Sequence, residues 1–264
     1  MGRIAFAGAL TAAVPASACQ TTPRDPPEPG FEIALLDPRV ESLVASLDEA
    51  DPHRTLRGMA RLALQSPEGR FRRPQRVALR RPAELRVEIL GLFGQIAAIL
   101  VTDGERFQFW DAAGGGRMRE GEVTPELLWN VARVDLTPEE AVDVLLGGGR
   151  PGAGFVLARA AVLSDGALAL TWQDAARAGE RREFDAERRL RRLTRYAPDA
   201  SVVFEVLFDD YRELAGRPFA YAIHMSFPRL HAEAAFDFEQ AELDAELGDE
   251  LFSLHLPEAT AELR

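Results

Sequence analysis

The sequence predicts a mainly-β fold: one large, curved antiparallel sheet carrying a pair of short helices. Three observations predict it. From Thr55 onward, apolar residues recur with the period-two spacing of strands that bury one face. Turn signals separate the successive runs, and most connections are too short for a helical crossover. Parallel neighbours need such crossovers, so short connections imply antiparallel pairing. Helical patterning interrupts the strands at Thr124–Gly149.

The elements follow in order. Asp37–Ala50 reads as a short helix with Asp37 as its cap and Pro38 at the first position. Val40, Leu43, Val44 and Leu47 share one face of it. Leu56, Gly58, Ala60, Leu62 and Leu64 then alternate with Thr55, Arg57, Met59, Arg61 and Gln65. Further strands are expected at Gln75–Arg80, Glu84–Leu90, Ile96–Thr102 and Arg106–Asp111. Pro67-Glu68-Gly69, Arg81-Pro82 and Asp103-Gly104 mark the turns between them. Thr124-Pro125-Glu126 opens one helix, with Leu127, Leu128 and Val131 on one face. Thr137-Pro138-Glu139-Glu140 opens the next. Thr137 and Glu140 have capping-box spacing, and Ala141, Val144 and Leu145 form the apolar stripe. Gly147-Gly148-Gly149 ends it. Strands resume near Phe155 and include Leu168–Trp172, Arg182–Asp185, Leu190–Tyr196, Val202–Asp209, Phe219–Phe227 and Ala232–Ala241. Asp185–Arg189 falls between two of these as a hairpin loop.

Composition excludes several functions. The 264 residues carry a net charge of −11, with 47% hydrophobic and 28% charged. That composition supports a folded core and argues against a nucleic-acid partner. All the basic charge is arginine, which reads as coding bias rather than as a binding feature. A single cysteine rules out an internal disulfide. His53, His224, His231 and His255 lack ligand spacing, with His224 and His231 expected on neighbouring strands, so no metal or other cofactor is expected. No Gly-x-Ser-x-Gly elbow occurs, and no Gly-Lys-Ser/Thr follows the glycine run. Glu139-Glu140 belongs to a helix start and Asp209-Asp210 to a strand end. No catalytic constellation emerges, and the chain is read as a non-enzyme. Arg70-Phe71-Arg72-Arg73 and Arg188-Arg189-Leu190-Arg191-Arg192 are read as solvent-facing strand and hairpin residues. Contact with anionic lipid headgroups is the alternative for both.

The N-terminus reads as an address. Met1-Gly2-Arg3 precedes an apolar run, Ile4 to Val14, too short to span a bilayer. Pro15-Ala16-Ser17-Ala18-Cys19 resembles a lipobox, with Ala16 where leucine is usual. Residues 1–18 are then a lipoprotein signal peptide, and 19–30 a lipidated Cys19 with a tether rich in proline (Pro23, Pro26, Pro27, Pro29). The alternative is secretion with cleavage at an Ala-x-Ala site. Gln20 after the cysteine, rather than Asp, favours the outer membrane. Residues 31–264 read as one domain.

Leu90-Gly91-Leu92-Phe93-Gly94-Gln95 places large apolar residues between two glycines at a strand junction, where polar residues are usual. They either fold back onto the core or stand exposed for a purpose.

The segment Glu84–Gly152 runs Leu85-Arg86-Val87-Glu88-Ile89, Leu92-Phe93-Gly94, an apolar strand, Asp103-Gly104 and an aromatic strand. Glu120-Gly121, Thr124-Pro125-Glu126-Leu127-Leu128, Leu136-Thr137-Pro138-Glu139-Glu140 and Leu145-Leu146-Gly147-Gly148 follow. This order resembles the LolA/LolB family of bacterial lipoprotein carriers and receptors, and the resemblance extends over about Leu43–Pro257. It implies an open antiparallel half-barrel covered by a short helical lid, holding acyl chains on its apolar concave side. It implies Leu92, Phe93 and Gly94 as the loop that inserts into the membrane or acts on cargo, with Phe93 in place of the family's leucine. Leu85, Val87, Ile89, Phe107 and Phe109 would line the sheet side, and Leu127, Leu128, Val131, Val144 and Leu145 the lid. The implied partners are lipoprotein or lipid acyl chains, a LolA-type periplasmic carrier, and the outer membrane of a Gram-negative bacterium, which the protein would face from the periplasm. Two other classes stay open from sequence: a structural or protein-interaction lipoprotein with a filled interior, and an enzyme acting on envelope lipid or glycan.

Overall fold

The computed structural model describes residues 30–49, 53–112, 115–148, 151–152 and 154–254. Cys19, with the rest of the signal segment and tether up to residue 29, lies outside them, as do Gly149 and His255.

The chain opens with β1 (Phe31–Ile33) and α1 (Pro38–Glu49). Six strands follow: β2 (Thr55–Ser66), β3 (Gly69–Arg80), β4 (Glu84–Leu90), β5 (Ile96–Thr102), β6 (Arg106–Asp111) and β7 (Arg117–Glu122). Then come α2 (Leu127–Ala132) and α3 (Pro138–Leu145). The second set of strands is β8 (Val156–Val162), β9 (Leu168–Gln173), β10 (Gly179–Phe184), β11 (Leu190–Tyr196), β12 (Val202–Leu214), β13 (Arg217–Phe227) and β14 (Ala232–Leu243). They form one 14-stranded sheet in the order β1-β8-β9-β10-β11-β12-β13-β14-β2-β3-β4-β5-β6-β7. The pairs are antiparallel, and β1 and β7 stand at opposite edges, so the sheet is open.

The structure corrects several sequence expectations. β3 begins at Gly69 rather than at Gln75, and Arg70–Arg73 lies on it, paired with Leu62–Gln65 and, as expected, with its arginines exposed. Asp209 and Asp210 do not end β12, which stays in register with β13 as far as Leu214. His231 is on no strand; it caps a 3-10 turn at Pro228–Leu230, with φ +49°. The run Arg188–Arg192 is not simply solvent-facing, because carboxylates lie within reach on its own hairpin and neighbouring strands. Arg188 donates to the Ser42 hydroxyl, and Arg189 pairs with Asp185 and Glu187. Arg191 pairs with Asp165, and Arg192 is buried against Glu205 at 2.7 Å.

Local chemistry sets the helix starts. The Asp37 carboxylate accepts from the Arg39 backbone N–H at 2.9 Å. Hydrogen bonds from the Arg39 side chain and backbone lower its pKa to about 2. Thr137 and Glu140 form the reciprocal capping box. Thr137 Oγ1 accepts from the Glu140 N–H at 3.1 Å, and Glu140 Oε2 from the Thr137 N–H at 3.0 Å.

Directly opposed residues on antiparallel strands share a face, so the register defines the concave side rung by rung. One rung is Leu243, Leu56, Leu79, Leu85, Thr102 and Phe107; the next is Ala241, Gly58, Val77, Val87, Leu100 and Phe109. A third contains Phe238, Ala60, Gln75, Ile89 and Ala98. The apolar members pack with Val142, Val144 and Leu145 of α3 into the main core. Between the second and third rungs β14 bulges. A Cβ on Gly58 would meet the Gln240 carbonyl oxygen at 2.3 Å, so this approach requires glycine.

The other half of the concave face contains charge. Phe184, Arg182 and Glu180 alternate along β10 on the core side, and both charged residues are 1% exposed. Arg182 donates to Glu180 at 2.6 Å and to the Gly148 carbonyl, just past α3, at 2.6 Å. Arg195 on β11 reaches Glu180 at 2.6 Å and Glu140, in the first turn of α3, at 3.8 Å. Arg81 holds Asp143 of α3 at 2.7 Å. Both ends of α3 are therefore tied to the sheet by buried or half-buried charges. The end of α2 is held differently. Arg133 pairs with Glu68 in the β2–β3 turn at 2.7 Å, and the two side chains are 40% and 62% exposed.

Two predictions separate these anchors. Arg182→Met leaves Glu180 buried with one partner fewer, and should destabilise the fold by about 3–5 kcal/mol in denaturant unfolding. Glu68→Ala should change global stability by no more than about 1 kcal/mol. It should nevertheless speed amide hydrogen exchange in α2 while leaving α3 protected.

Candidate functional site: an apolar rim and the space beneath the helices

Strand direction gathers several connections on one rim. β2 runs into the turn at residues 67–68, β3 leaves it and β4 returns, which brings the 91–95 loop to the same rim. The β6–β7 connection lies there too. Glu68 places the Arg133 end of α2 over this rim, whereas Asp143 of α3 meets Arg81 at the opposite one.

The 91–95 loop resolves the ambiguity left by its sequence. Its backbone closes on itself: the Gly91 N–H donates to the Gln95 carbonyl at 2.7 Å, and the Gly94 N–H to the Gly91 carbonyl at 3.1 Å. The Gln95 side chain accepts from the Phe93 N–H at 3.0 Å. Gly94 has φ +77°, a conformation that suits glycine. With the main chain closed this way, Leu92 and Phe93 point outward, 83% and 93% exposed. Neither folds back onto the core.

The other expected site residues are distributed as follows. Leu85, Val87, Ile89, Phe107 and Phe109 all occupy concave positions. Leu85 and Phe109 are buried, while Val87, Ile89 and Phe107 are partly covered. On the helices, Leu127, Leu128, Val144 and Leu145 are buried and Val131 partly so. None of these ten lines either of two open pockets. One, about 480 Å3, lies along β1 and β8–β10. The other, about 370 Å3, lies at the opposite rim, where α1 and α3 meet β10–β13. Leu47, Leu146, Phe184, Leu190 and Phe219 give it an apolar wall. Its volume is at the small end of the range for ligand pockets, roughly 300–1,000 Å3. Tyr211, also in its wall, donates to the Leu190 carbonyl, and burial raises its phenol pKa well above the usual range.

Sequence reasoning missed the cavity and the charged concave residues. A signal for the latter was present in Glu180-Arg181-Arg182-Glu183-Phe184. If Phe184 points inward, so do Arg182 and Glu180.

No known protein family's profile matches the chain, and no curated protein matches it in sequence. Solved structures do match in shape. A LolA superfamily protein from Nitrosomonas europaea superposes with a TM-score of 0.56 at 12% identity, over 81% of this chain and 97% of that one. A domain assigned to outer membrane lipoprotein sorting in Vibrio parahaemolyticus gives 0.56 at 7% identity, over 80% and 94%. A DUF1329 family protein from Desulfovibrio piger gives 0.55 at 12% identity, over 80% and 95%. The open 14-stranded antiparallel sheet with its small helical cover is thus the LolA/LolB-type fold.

Proposed function

We propose that this chain is a lipid-anchored outer-membrane protein that binds acyl chains beneath its helices and receives or inserts lipoproteins. It faces the periplasm, and a LolA-type carrier is its donor. The observation that carries this reading is the outward pair Leu92 and Phe93, on a loop whose backbone is already hydrogen-bonded. A tip that is rigid in its backbone and apolar in its side chains suits insertion among lipid chains. Its surroundings support the same reading. Arg70, Arg72 and Arg73 are exposed on the same rim, where phosphate headgroups would meet them. The ion pair that reaches the α2 end at this rim is exposed, so breaking that pair costs little. The structural neighbours include a LolA superfamily protein and a lipoprotein-sorting domain, in keeping with a binder rather than an enzyme.

A second reading has an observation of its own. The expected concave lining is largely packed, and charges hold α3 at both ends. This favours a structural or protein-interaction lipoprotein of the same fold with no transfer activity. Displacement of a fluorescent acyl probe from the purified protein separates the two. Saturable, displaceable binding supports the acyl reading; a folded protein that binds no probe supports the second.

Two variants test the remaining parts. Cys19→Ala should move the protein from the membrane fraction to the soluble fraction; unchanged fractionation would count against lipidation. Phe93→Asp should leave the melting temperature nearly unchanged, because the side chain is exposed. It should weaken vesicle binding by the insertion energy of one aromatic side chain, about 1.5–3 kcal/mol, or roughly 10–150-fold. Loss of folding in that variant would mean that Phe93 is core.

A further inference from the structure

Gln75 is a polar side chain in an apolar place. It lies on the concave face of β3, between Ala60 of β2 and Ile89 of β4. It is 0% exposed, and neither its amide oxygen nor its amide nitrogen has a hydrogen-bond partner among the described residues. An unpaired buried amide costs stability, so its presence calls for a reason.

The residues in line with it supply one. From the rim inward, the concave positions of β3 are Phe71, Arg73, Gln75, Val77 and Leu79. Phe71 is partly covered and Arg73 is exposed. The Arg73 guanidinium lies 5.9 Å from the Phe71 ring centroid and donates to the Arg72 carbonyl, and it pairs with no carboxylate among the described residues. Val77 and Leu79 are buried in the core. Alternate residues of a strand are about 6.6 Å apart. The row therefore presents a cation, then a hydrogen-bonding amide, then hydrocarbon. A chain esterified or amidated to an anionic head presents its groups in the complementary order: negative charge, carbonyl linkage, methylenes.

We propose that Gln75 is a specificity-determining residue that donates a hydrogen bond to the ester or amide carbonyl of an acylated ligand, with Arg73 at that ligand's negative head. The inference rests on the acyl-binding reading and adds to it the linkage that is recognised. The ligand enters from the rim beneath the end of α2, where the Arg133–Glu68 pair is exposed. A phospholipid and an acylated peptide share this chemistry.

The test is competition against a fluorescent acyl probe bound to the full-length protein. The competitors are dioleoyl phosphatidylglycerol, its di-ether counterpart, which lacks the carbonyls, and a diacylglyceryl-cysteine peptide with acidic residues. The native protein should favour the ester lipid over the ether about fivefold, the scale of one hydrogen bond. Gln75→Leu should abolish that preference by weakening the ester alone, and should melt at a higher temperature because an unpaired amide is gone. Gln75→Met, unbranched, makes the same comparison if leucine disturbs packing. Stronger competition by the peptide than by phosphatidylglycerol would make lipoprotein the source, and the reverse would make it lipid; either supports the proposal. Equal competition by ester and ether in the native protein would overturn the role of Gln75 and leave acyl binding standing. So would a preference that survives in both variants. Failure of every competitor to displace the probe, or of the folded protein to bind it, would overturn the acyl reading itself.

Discussion

The pairing of β14 with β2 makes one sheet out of two. Without it, β2–β7 and β8–β14 would be separate sheets, each with a new open edge. The junction is long-range and well fastened, running from Glu233 opposite Gln65 to Leu243 opposite Leu56. Arg57 and Glu242 bridge it at 2.6 Å, and the Thr55 hydroxyl donates to the Ala245 carbonyl at 2.7 Å. Asp244 accepts from the Arg54 N–H at 2.8 Å and lies 2.8 Å from His53. Burial pushes its carboxyl pKa up, but the hydrogen bonds from His53 and Arg54 outweigh burial and hold it below the usual range. Contacts between residues some 190 positions apart carry a high loop-closure cost. They close the concave face only after both halves exist.

The two halves then divide the work. β2–β6 offer apolar rungs interrupted by Gln75, whereas β10 and β11 place Glu180, Arg182 and Arg195 under α3. Buried ions are costly to separate from their partners, so they hold one geometry firmly without adding much net stability. Here the geometry held is the seat of α3. The consequence is an asymmetric cover: charges tie α3 at both ends, while α2 is held by the burial of Leu127 and Leu128 and by one surface ion pair over the rim that also bears Leu92 and Phe93. The pocket under α1 and α3 is at the opposite rim.

What the sequence disclosed followed from pattern strength. β4, β5 and β6 alternate or run apolar between clear turns, and their limits matched expectation to the residue. The α3 capping box was equally legible, because its chemistry is local. β7 was not: Arg-Met-Arg-Glu-Gly-Glu has no apolar face, as suits an edge strand with little to bury. The first turn of β3 was hidden by its arginines and Pro74. The pairing of Arg192 with Glu205 depends on which strand lies next to which, and no local pattern reports that. The site was half legible. Leu92 and Phe93 stood out by being apolar between glycines, but only the closed backbone of the loop shows them outward. Gln75 could not stand out, since a glutamine in a strand is unremarkable until the register sets it among leucines and valines.

Those two features, the exposed tip and the hidden amide, belong to one energetic problem. Hydrocarbon contributes about 0.8 kcal/mol per methylene when buried, whether in protein or in bilayer. Moving an acyl chain between the two therefore nearly cancels the largest contribution. What remains is small and polar: the linkage carbonyl, the charged head, and the cost of opening the cover. In the bilayer the carbonyls rest near water. On the reading proposed above, the Gln75 amide, which has no hydrogen-bond partner among the described residues, would take up such a carbonyl. An amide that is unsatisfied alone and satisfied with ligand ties occupancy to the linkage rather than to chain length. On that reading it would also keep the balance close enough to even for a tip set among lipids to pass the chain on.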